Sequence, residues 1–301
     1  MPFQSHFQTD LVIKCCSPHR VFPTILLIEI VINSSGTGQV FSITGCPRRL
    51  FELEVHVMKV SGNTILITGG ATGIGFALAE AFVDLGNKVV ICGRRRNKLL
   101  AAKKKNPQLE IRVCDVSRSA SRTALVRSMA QRFPSLNILV NNAGIQRRFD
   151  FSKGTRDLHQ ADQEIATNLV APIHLSALLL PLLRKQSQAA IVNISSGLGF
   201  TPLAAVPVYC ATKAAIHSLS LSLRHQLSNT RVCVFEIVPP MVATELAGRR
   251  QRPEEDEYIM SSDAVAKEIV RAIETETYEV PVGAAVNLYE KRDQMFSAIN
   301  E

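Results

Sequence analysis

The sequence contains no Cys-x-x-Cys pair and no His-Glu-x-x-His pattern, although it has seven cysteines and seven histidines. The first absence excludes the usual paired-thiol zinc and redox motifs, and the second excludes a zinc-protease helix. The cysteine number is odd, and Cys92, Cys114, Cys210 and Cys233 lie in or beside apolar runs. This pattern predicts buried free thiols in a reducing compartment. We therefore expect a cytoplasmic protein without a resident metal.

We also expect no membrane-spanning segment. The most apolar segment, Leu175–Leu183, contains Pro181 and is followed by Arg184 and Lys185. It is well short of the roughly 20 residues that a membrane span requires. A buried or subunit-contacting helix fits the segment better, so we expect no membrane partner.

The first 57 residues lack the regular pattern of the rest of the chain. The segment Val21–Ile32 imitates the apolar part of a secretory signal, but it contains Glu29 and no convincing small-residue cleavage site follows. Met58 immediately precedes what looks like the start of a complete domain, MKVSGNTILITGG. We expect residues 1–57 to be a non-native or poorly ordered extension and residues 58–301 to form the domain.

From Thr64 onward, short apolar runs alternate with longer helical patterns. The runs suited to strands are Thr64–Thr68, Lys88–Cys92, Glu110–Cys114, Asn137–Asn141, Ala189–Ile194, Arg231–Val238 and Tyr278–Val282. The helical patterns are Ile74–Leu85, Asn97–Lys105, Ala120–Arg132, Ala161–Lys185, Val208–Ser228 and Ser262–Glu274. Apolar strands separated by helices indicate a parallel sheet covered on both faces. The predicted fold is α/β, a single doubly wound Rossmann-type domain with a seven-stranded parallel sheet.

The first predicted strand runs into a glycine-rich turn, Thr68–Gly75, and a helical pattern follows at once. Glycine permits positive φ in a sharp turn, and its missing Cβ lets the backbone approach a pyrophosphate. The helix that follows presents free N–H groups and its positive end. An ordinary tight turn is the alternative, but the T-G-x-x-x-G-x-G spacing favours a dinucleotide site.

From Lys59 to the C terminus the sequence resembles the short-chain dehydrogenase/reductase family. After the glycine turn the matches are Asp115, the segment Asn141–Gly144 with sequence NNAG, Ser196, and the segment Tyr209–Lys213 with sequence YCATK. The resemblance implies cofactor contacts from Gly69, Thr72, Gly73, Ile74, Gly75, Asp115, Asn142, Ala143, Gly144, Tyr209, Lys213 and Thr244. Asp115 would touch the adenine ring and Thr244 the carboxamide. Segments such as SSGLGF and VPPMVATEL look most like a bacterial subgroup named for its neighbourhood to D-alanine-transfer genes.

An acidic residue is missing at the end of the second predicted strand, where it would bind the ribose 2′-hydroxyl of NAD. Gly93 and Arg94 stand there instead. A guanidinium can hold the extra phosphate of NADP through charge-assisted hydrogen bonds. Arg94, helped by Arg95 or Thr72, therefore predicts a preference for NADP(H), with NAD possible. The alternative is a surface cluster without a cofactor role, since seven basic residues occur between Arg94 and Lys105.

Tyr209 and Lys213 are four residues apart in a helical pattern and so share a face. Free tyrosine has a pKa of about 10, and a nearby ammonium lowers it, so the pair can act as a general acid and base. Ser196 precedes Tyr209 by thirteen residues, which is the separation in the family. The resemblance implies that Ser196 hydrogen-bonds the substrate oxygen, that Lys213 also binds the nicotinamide ribose, and that Asn168 helps to hold a proton-relay water.

These residues predict an NADP(H)-dependent oxidoreductase that acts on a carbonyl or alcohol group of a small molecule. A non-catalytic dinucleotide-binding regulator and an epimerase or dehydratase on the same site are the alternatives.

The basic run lacks any supporting nucleic-acid motif, so we expect no nucleic-acid partner. The helices Ala161–Lys185 and Val208–Ser228 form subunit contacts in the family, which implies a homodimer or homotetramer. The segment Glu245–Ser261, where the family sets its substrate choice, has mixed charge and does not identify a substrate.

Overall fold

The central feature of the fold is one parallel sheet of seven strands. A computed structural model describes residues 58–154, 158–246 and 259–301, so the predicted N-terminal extension lies outside the described residues. The strands are β1 (Thr64–Thr68), β2 (Lys88–Gly93), β3 (Glu110–Val113), β4 (Leu136–Asn141), β5 (Ala189–Ile194), β6 (Val232–Val238) and β7 (Glu279–Pro281). Their order in the sheet is β3-β2-β1-β4-β5-β6-β7. This order confirms the predicted doubly wound sheet. Strands β2 and β3 lie on one side of β1 and strands β4 to β7 on the other, so the strand order reverses between β1 and β4.

Helices cover both faces of this sheet. They are α1 (Gly73–Asp84), α2 (Arg96–Lys105), α3 (Ser119–Arg132), α4 (Leu158–Ile165), α5 (Ala171–Leu183), α6 (Pro207–Gln226), α7 (Ser262–Glu274), α8 (Ala285–Lys291) and α9 (Phe296–Asn300). The single helix predicted over Ala161–Lys185 is interrupted by a π-helical turn at Ala166–Val170, which separates α4 from α5. The sequence patterns did not predict the short helices α8 and α9.

The apolar core has two layers because successive strand residues point to opposite faces of the sheet. In β1, Ile65 and Ile67 pack with residues of α1, α2 and α7, such as Phe82. Leu66 between them packs with residues of α3 and α5, such as Leu175. Burial on both faces explains why the central strands are almost continuously apolar in sequence.

The continuous helical stretch Leu158–Leu183 is long and apolar enough to cross a membrane by length and composition alone. In the fold, however, Leu175, Leu179 and Leu183 on one side of α5 are buried against the sheet. The core helix of a globular protein passes the same length test. The absence of a membrane partner stays a prediction.

A buried chain of polar side chains fastens two helices to the middle of the sheet. The Asn141 Nδ2 group, at the end of β4, donates to Asn193 Oδ1 on β5 at 2.9 Å and to Ser176 Oγ on α5 at 3.2 Å. Asn193 Nδ2 in turn donates to Ser220 Oγ on α6 at 2.9 Å. All four residues are buried. The chain fixes α5 and α6 at the edge of the sheet where the strands end.

Replacing Asn193 by alanine should destabilise the protein, because it leaves a buried amide of Asn141 and a buried hydroxyl of Ser220 short of a partner. The expected loss is about 1–3 kcal/mol in the free energy of unfolding, measured by urea denaturation. Ser222→Ala is the control, since this exposed hydroxyl donates to Ser218 O of its own helix. A surface change of this kind should alter stability by less than about 0.5 kcal/mol. Equal losses in the two variants would contradict the account.

Candidate active site

The glycine-rich turn after β1 lies against two other segments at the same edge of the sheet. Gly69 and Gly73 have φ values of +67° and +56°, which side-chain-bearing residues rarely adopt. A Cβ on Gly69 would lie 2.9 Å from Ala143 Cα, and one on Gly73 would lie 2.9 Å from Thr244 Cγ2. A Cβ on Gly75 would collide with Asn142 Nδ2. The structure therefore brings together the predicted cofactor residues of three separate segments.

The NNAG segment after β4 is anchored to the end of β1. The Thr68 hydroxyl accepts hydrogen bonds from the N–H groups of Asn142 and Ala143, each at 3.0 Å. The Asn142 amide donates to Thr68 O at 2.9 Å. Because β1 and β4 are neighbours in the sheet, these bonds hold the turn at the point where the strand order reverses. Open α/β sheets bind their ligands at that point.

The start of α1 fits a pyrophosphate. Thr72 precedes the helix in an extended conformation and makes no side-chain capping hydrogen bond. The first-turn N–H groups of a helix have no intrahelical partners and attract anions. Gly73, Ile74 and Gly75 supply these groups here. The uncapped helix end and the bare glycine backbone beside it are what a dinucleotide needs.

A polar cavity of about 230 Å³ lies beside the ends of β2 and β3. Its lining residues are Arg94, Asp115, Ser117, Arg118, Gln163 and Thr167. Asp115 Oδ1 accepts hydrogen bonds from the Ser117 hydroxyl at 2.7 Å and the Ser117 N–H at 3.1 Å. Two residues predicted from separate motifs to hold the adenosine end, Arg94 and Asp115, thus line one cavity.

The neighbouring Arg95 has a different environment. Its guanidinium lies 3.5 Å from Glu245 Oε2, and Lys98 Nζ lies 3.2 Å from Glu245 Oε1. These ion pairs link the start of α2 to the segment that follows Thr244. Because the Arg95 guanidinium already pairs with Glu245, Arg94 is the better candidate for the predicted contact with a phosphate.

Ser196, Tyr209 and Lys213 come together where β5 ends and α6 begins. Each is only 5–6% exposed. Lys213 Nζ donates to Ile194 O, the last residue of β5, at 2.7 Å and lies 5.6 Å from the centre of the Tyr209 ring. Ser196 follows two residues after Ile194, and its hydroxyl lies close enough to the Tyr209 phenol to act to lower the pKa of Tyr209. The three residues predicted to carry the chemistry form one buried group.

The pKa of Tyr209 in this group differs from the value expected from the sequence. Burial raises the pKa of Tyr209 to about 12, and the hydrogen bond with Ser196 only partly opposes this shift. Burial lowers the pKa of Lys213 to about 8, against the charges of Glu236 and Glu164. The expectation that the ammonium lowers the tyrosine pKa is therefore wrong for the folded chain, because desolvation is larger. At neutral pH Tyr209 is a protonated acid and Lys213 is mainly an ammonium.

Asn168 lies in the π-helical turn and braces the segment after NNAG. Its Oδ1 accepts from Ile145 N at 2.9 Å, and its Nδ2 donates to Ile145 O at 2.8 Å and to Thr212 Oγ1 at 3.2 Å. The side chain thereby connects the β4 loop to α6 beside Lys213. Short π-helical turns are frequent at functional sites. A role for Asn168 in holding a relay water stays a prediction.

Behind Lys213, a buried acid that the sequence argument missed lies on β6. Glu236 Oε2 is 2.8 Å from His217 Nδ1, which is 3.7 Å from Glu279 Oε1, and Tyr289 donates to that oxygen at 2.6 Å. The negative charge of Glu236 favours the Lys213 ammonium. The potential metal ligands His217, Glu236 and Glu279 lie within 4.8 Å of one another. His217 contacts both carboxylates, and Glu236 Oε1 has no hydrogen-bond partner among the described residues. The absence of a resident metal stays a prediction.

An apolar groove of about 650 Å³ in the described structure is not lined by Ser196, Tyr209 or Lys213. We call it the outer groove. Its α6 residues are Pro207, Cys210, Ala211 and Ala214. At about 100° per residue, these positions lie on the side of the helix opposite Tyr209. The outer groove therefore lies mainly on the other side of α6 from the Tyr209 side chain, although Leu198, Leu203 and Cys210 in its wall pack against Tyr209.

The segment after β6 carries Thr244 to the glycine turn. It contains Pro239-Pro240, where the family has Pro-Gly, and it is held by hydrogen bonds from Met260 N to Met241 O at 3.0 Å and from Ala243 N to Met260 O at 2.9 Å. Most of the segment predicted to set substrate choice, residues 247–258, lies outside the described residues.

Comparison with known proteins assigns residues 63–255 to the family model for short chain dehydrogenases. Over 189 residues the chain is 54% identical to a protein of Bacillus subtilis named uncharacterized oxidoreductase DltE, which covers 63% of this chain and 75% of that protein. This relative confirms the bacterial subgroup indicated by the sequence motifs.

The fold is shared with solved structures of other proteins. A short-chain dehydrogenase from Streptomyces avermitilis matches with a TM-score of 0.67 and 26% identity, over 77% of this chain and 92% of that one. A short-chain dehydrogenase from Sphingobium yanoikuyae, solved in complex with NADPH, matches with a TM-score of 0.63 and 28% identity, over 72% and 86%.

Proposed function

Because this chain belongs to the short-chain dehydrogenase family, we propose that it uses NADP(H) to interconvert a carbonyl and an alcohol group of a small molecule. The observation that carries the proposal is the buried group of Ser196, Tyr209 and Lys213, which lies at the same sheet edge as the glycine turn. A regulator that only binds a dinucleotide has no need of a buried acid and a buried ammonium. An oxidoreductase needs both for its proton chemistry.

In this proposal the protein orients the substrate and handles protons, while the dinucleotide supplies the hydride when bound. The Ser196 and Tyr209 hydroxyls hold the carbonyl oxygen as it gains negative charge. Tyr209, which burial keeps protonated, gives its proton to that oxygen. Lys213 stabilises the resulting phenolate and returns a proton to it. In alcohol oxidation the protons move in the opposite direction.

The cofactor assignment combines the cavity with the glycine turn. The turn and the start of α1 would hold the pyrophosphate through Gly69, Thr72, Gly73, Ile74 and Gly75. Asn142, Ala143, Gly144 and Thr244 border the same edge, which suits the nicotinamide end. Arg94 would bind the 2′-phosphate of NADP and Asp115 the adenine, with NAD as a weaker ligand. The NADPH in the Sphingobium yanoikuyae structure supports a nicotinamide dinucleotide at this site.

We also propose a cytoplasmic location. The four cysteines in the described part of the chain, Cys92, Cys114, Cys210 and Cys233, are all free. Free thiols persist in reducing compartments, which supports this location.

Tyr209→Phe should abolish turnover while NADPH binding stays largely intact, because only the proton donor is removed. A panel of aldehydes, ketones and alcohols, followed by nicotinamide absorbance with each coenzyme, first identifies a substrate. The variant should then lose at least about 100-fold in kcat. Tyr278→Phe is the matched control, since its phenol faces Glu276. Equal activity in Tyr209→Phe would refute the assignment, and a wild-type protein that binds NADPH but converts no compound would favour the regulator.

Arg94→Ala should weaken NADPH binding much more than NADH binding. Loss of a charge-assisted contact with the 2′-phosphate corresponds to a roughly 10- to 100-fold rise in Kd, measured by fluorescence titration with both coenzymes. Arg95→Ala should have a smaller effect, since Arg95 pairs with Glu245. An unchanged ratio of the two affinities in Arg94→Ala would remove the argument for NADP.

We further propose that the chain forms a homodimer or homotetramer through α5 and α6. Ile173, Leu178 and Leu221 are 40–45% exposed on these helices, and Pro207, Cys210, Ala211 and Ala214 of α6 line the apolar outer groove. Exposed apolar surface on these helices supports a subunit contact there.

Light scattering should therefore give the mass of a dimer or tetramer. Leu178→Asp combined with Leu221→Asp should lower this mass, because two charges enter the proposed contact. Leu100→Asp, at an equally exposed leucine on α2, should leave it unchanged. A monomeric wild-type protein would contradict the proposal.

A further inference from the structure

One buried carboxyl beside the candidate catalytic group has no part in the chemistry proposed above. Glu164 lies on α4, one helical turn before Asn168, and its exposed fraction is 0%. Neither carboxyl oxygen accepts a well-aligned hydrogen bond among the described residues, although the backbone N–H of Arg147 lies close enough to lower the pKa of Glu164. Burying an ionised carboxyl with so few hydrogen bonds is unfavourable. A position that only needed filling would be better served by an apolar side chain.

The charged and titratable groups facing Glu164 come from two elements. From the loop after β4, the Arg147 guanidinium donates to Gln160 O at 2.8 Å and to Gln163 Oε1 at 3.1 Å, both on α4. From α6 come Tyr209, Cys210 and Lys213, and the negative charge of Glu164 acts to raise the pKa of each. Glu164 is therefore electrostatically connected to both members of the proposed proton pair.

The packing around Glu164 keeps this connection fixed. One turn earlier on α4, Ala161 packs with Val208 of α6 and Phe149 of the β4 loop. One turn later, Asn168 hydrogen-bonds the same loop and Thr212 of α6. Glu164 is thus enclosed between two points at which α4, the loop and α6 are fastened together, while Gln163 next to it is exposed.

The acidity of Glu164 suits proton exchange near neutral pH. Burial raises its pKa to about 7, and the positive charges of Arg147 and Lys213 limit the rise. A group with such a pKa holds a proton about half of the time at pH 7 and can both give and take one.

We propose that Glu164 is the proton-supplying residue for Lys213 during carbonyl reduction. The inference rests on the proposed function. Tyr209 gives its proton to the substrate oxygen, and the phenolate takes one from the Lys213 ammonium. The resulting amine takes a proton from the Glu164 carboxylic acid through intervening water, and the carboxylate then takes one from solvent. Alcohol oxidation reverses each transfer. Glu164 acts through Lys213 and is a positioning residue of the proton route.

Glu164→Gln tests this proposal, because it keeps the shape of the side chain and removes its titration. In reduction the protonated acid is the active form, so the wild-type contribution is full below pH 7 and is lost as the pH rises through 7. The variant should lose at least about tenfold in kcat at pH 6, a modest part of the effect of a direct proton donor. Glu164→Asp should recover most of the rate, and Asp162→Asn, at an exposed carboxyl on the same helix, should match the wild type.

A second readout needs neither cofactor nor substrate. Infrared difference spectra between pH 5.5 and 8.5, a range set about the expected pKa of about 7, should show a carboxylic acid band that disappears with a midpoint near 7. The band should be absent in Glu164→Gln and present in Asp162→Asn.

An unchanged rate and pH profile in Glu164→Gln, or a spectrum without this band, would overturn the proposal. A wild-type protein that is inactive on every compound would instead count against the proposed function. The infrared titration would still report on Glu164 in that case, so the two failures are distinguishable.

Discussion

The hydrogen bond from Lys213 Nζ to Ile194 O, 2.7 Å long, is the interaction on which the rest of the site depends. It joins the first part of α6 to the end of β5 and sets the distance between these two elements, which follow one another in the chain. Tyr209 lies one turn before Lys213, and Ser196 lies two residues after Ile194. One contact thus places the acid, the ammonium and the hydroxyl in a single buried group.

Burying an ammonium is unfavourable, and the surrounding polar framework makes it tolerable. Glu236 on β6 and Glu164 on α4 both favour the charged form of Lys213. The Asn141, Asn193 and Ser220 chain fixes α6 to the sheet, and Asn168 fixes the β4 loop to α6. These buried polar groups all lie near the carboxyl ends of the central strands. The same polar groups near the ends of the central strands therefore fix the position, the burial and the charge of the catalytic candidates.

The sequence patterns predicted the fold well because parallel strands buried on both faces leave continuous apolar runs. They missed the π-helical turn, since ATNLV continues the helical pattern on either side of it. The glycine turn and the Tyr209 and Lys213 spacing identified which residues meet. The sequence patterns could not predict how deeply the side chains of the site are buried. The direction of the Tyr209 pKa shift was wrong for that reason, and nothing in the sequence marks Glu164 as enclosed. Glu236 left a weak signal, as the one acid in the apolar strand VCVFEIV.

The most direct test of the role of Lys213 is the titration of lysine side chains by NMR in the protein without added coenzyme. Lys213, assigned by the signal lost in Lys213→Arg, should titrate with a midpoint near pH 8, well below the ordinary lysine value of 10.5. That result would show that the buried ammonium holds the position on which the proton chemistry depends. If every lysine titrated near the ordinary value, Lys213 would be solvated and the account would be contradicted.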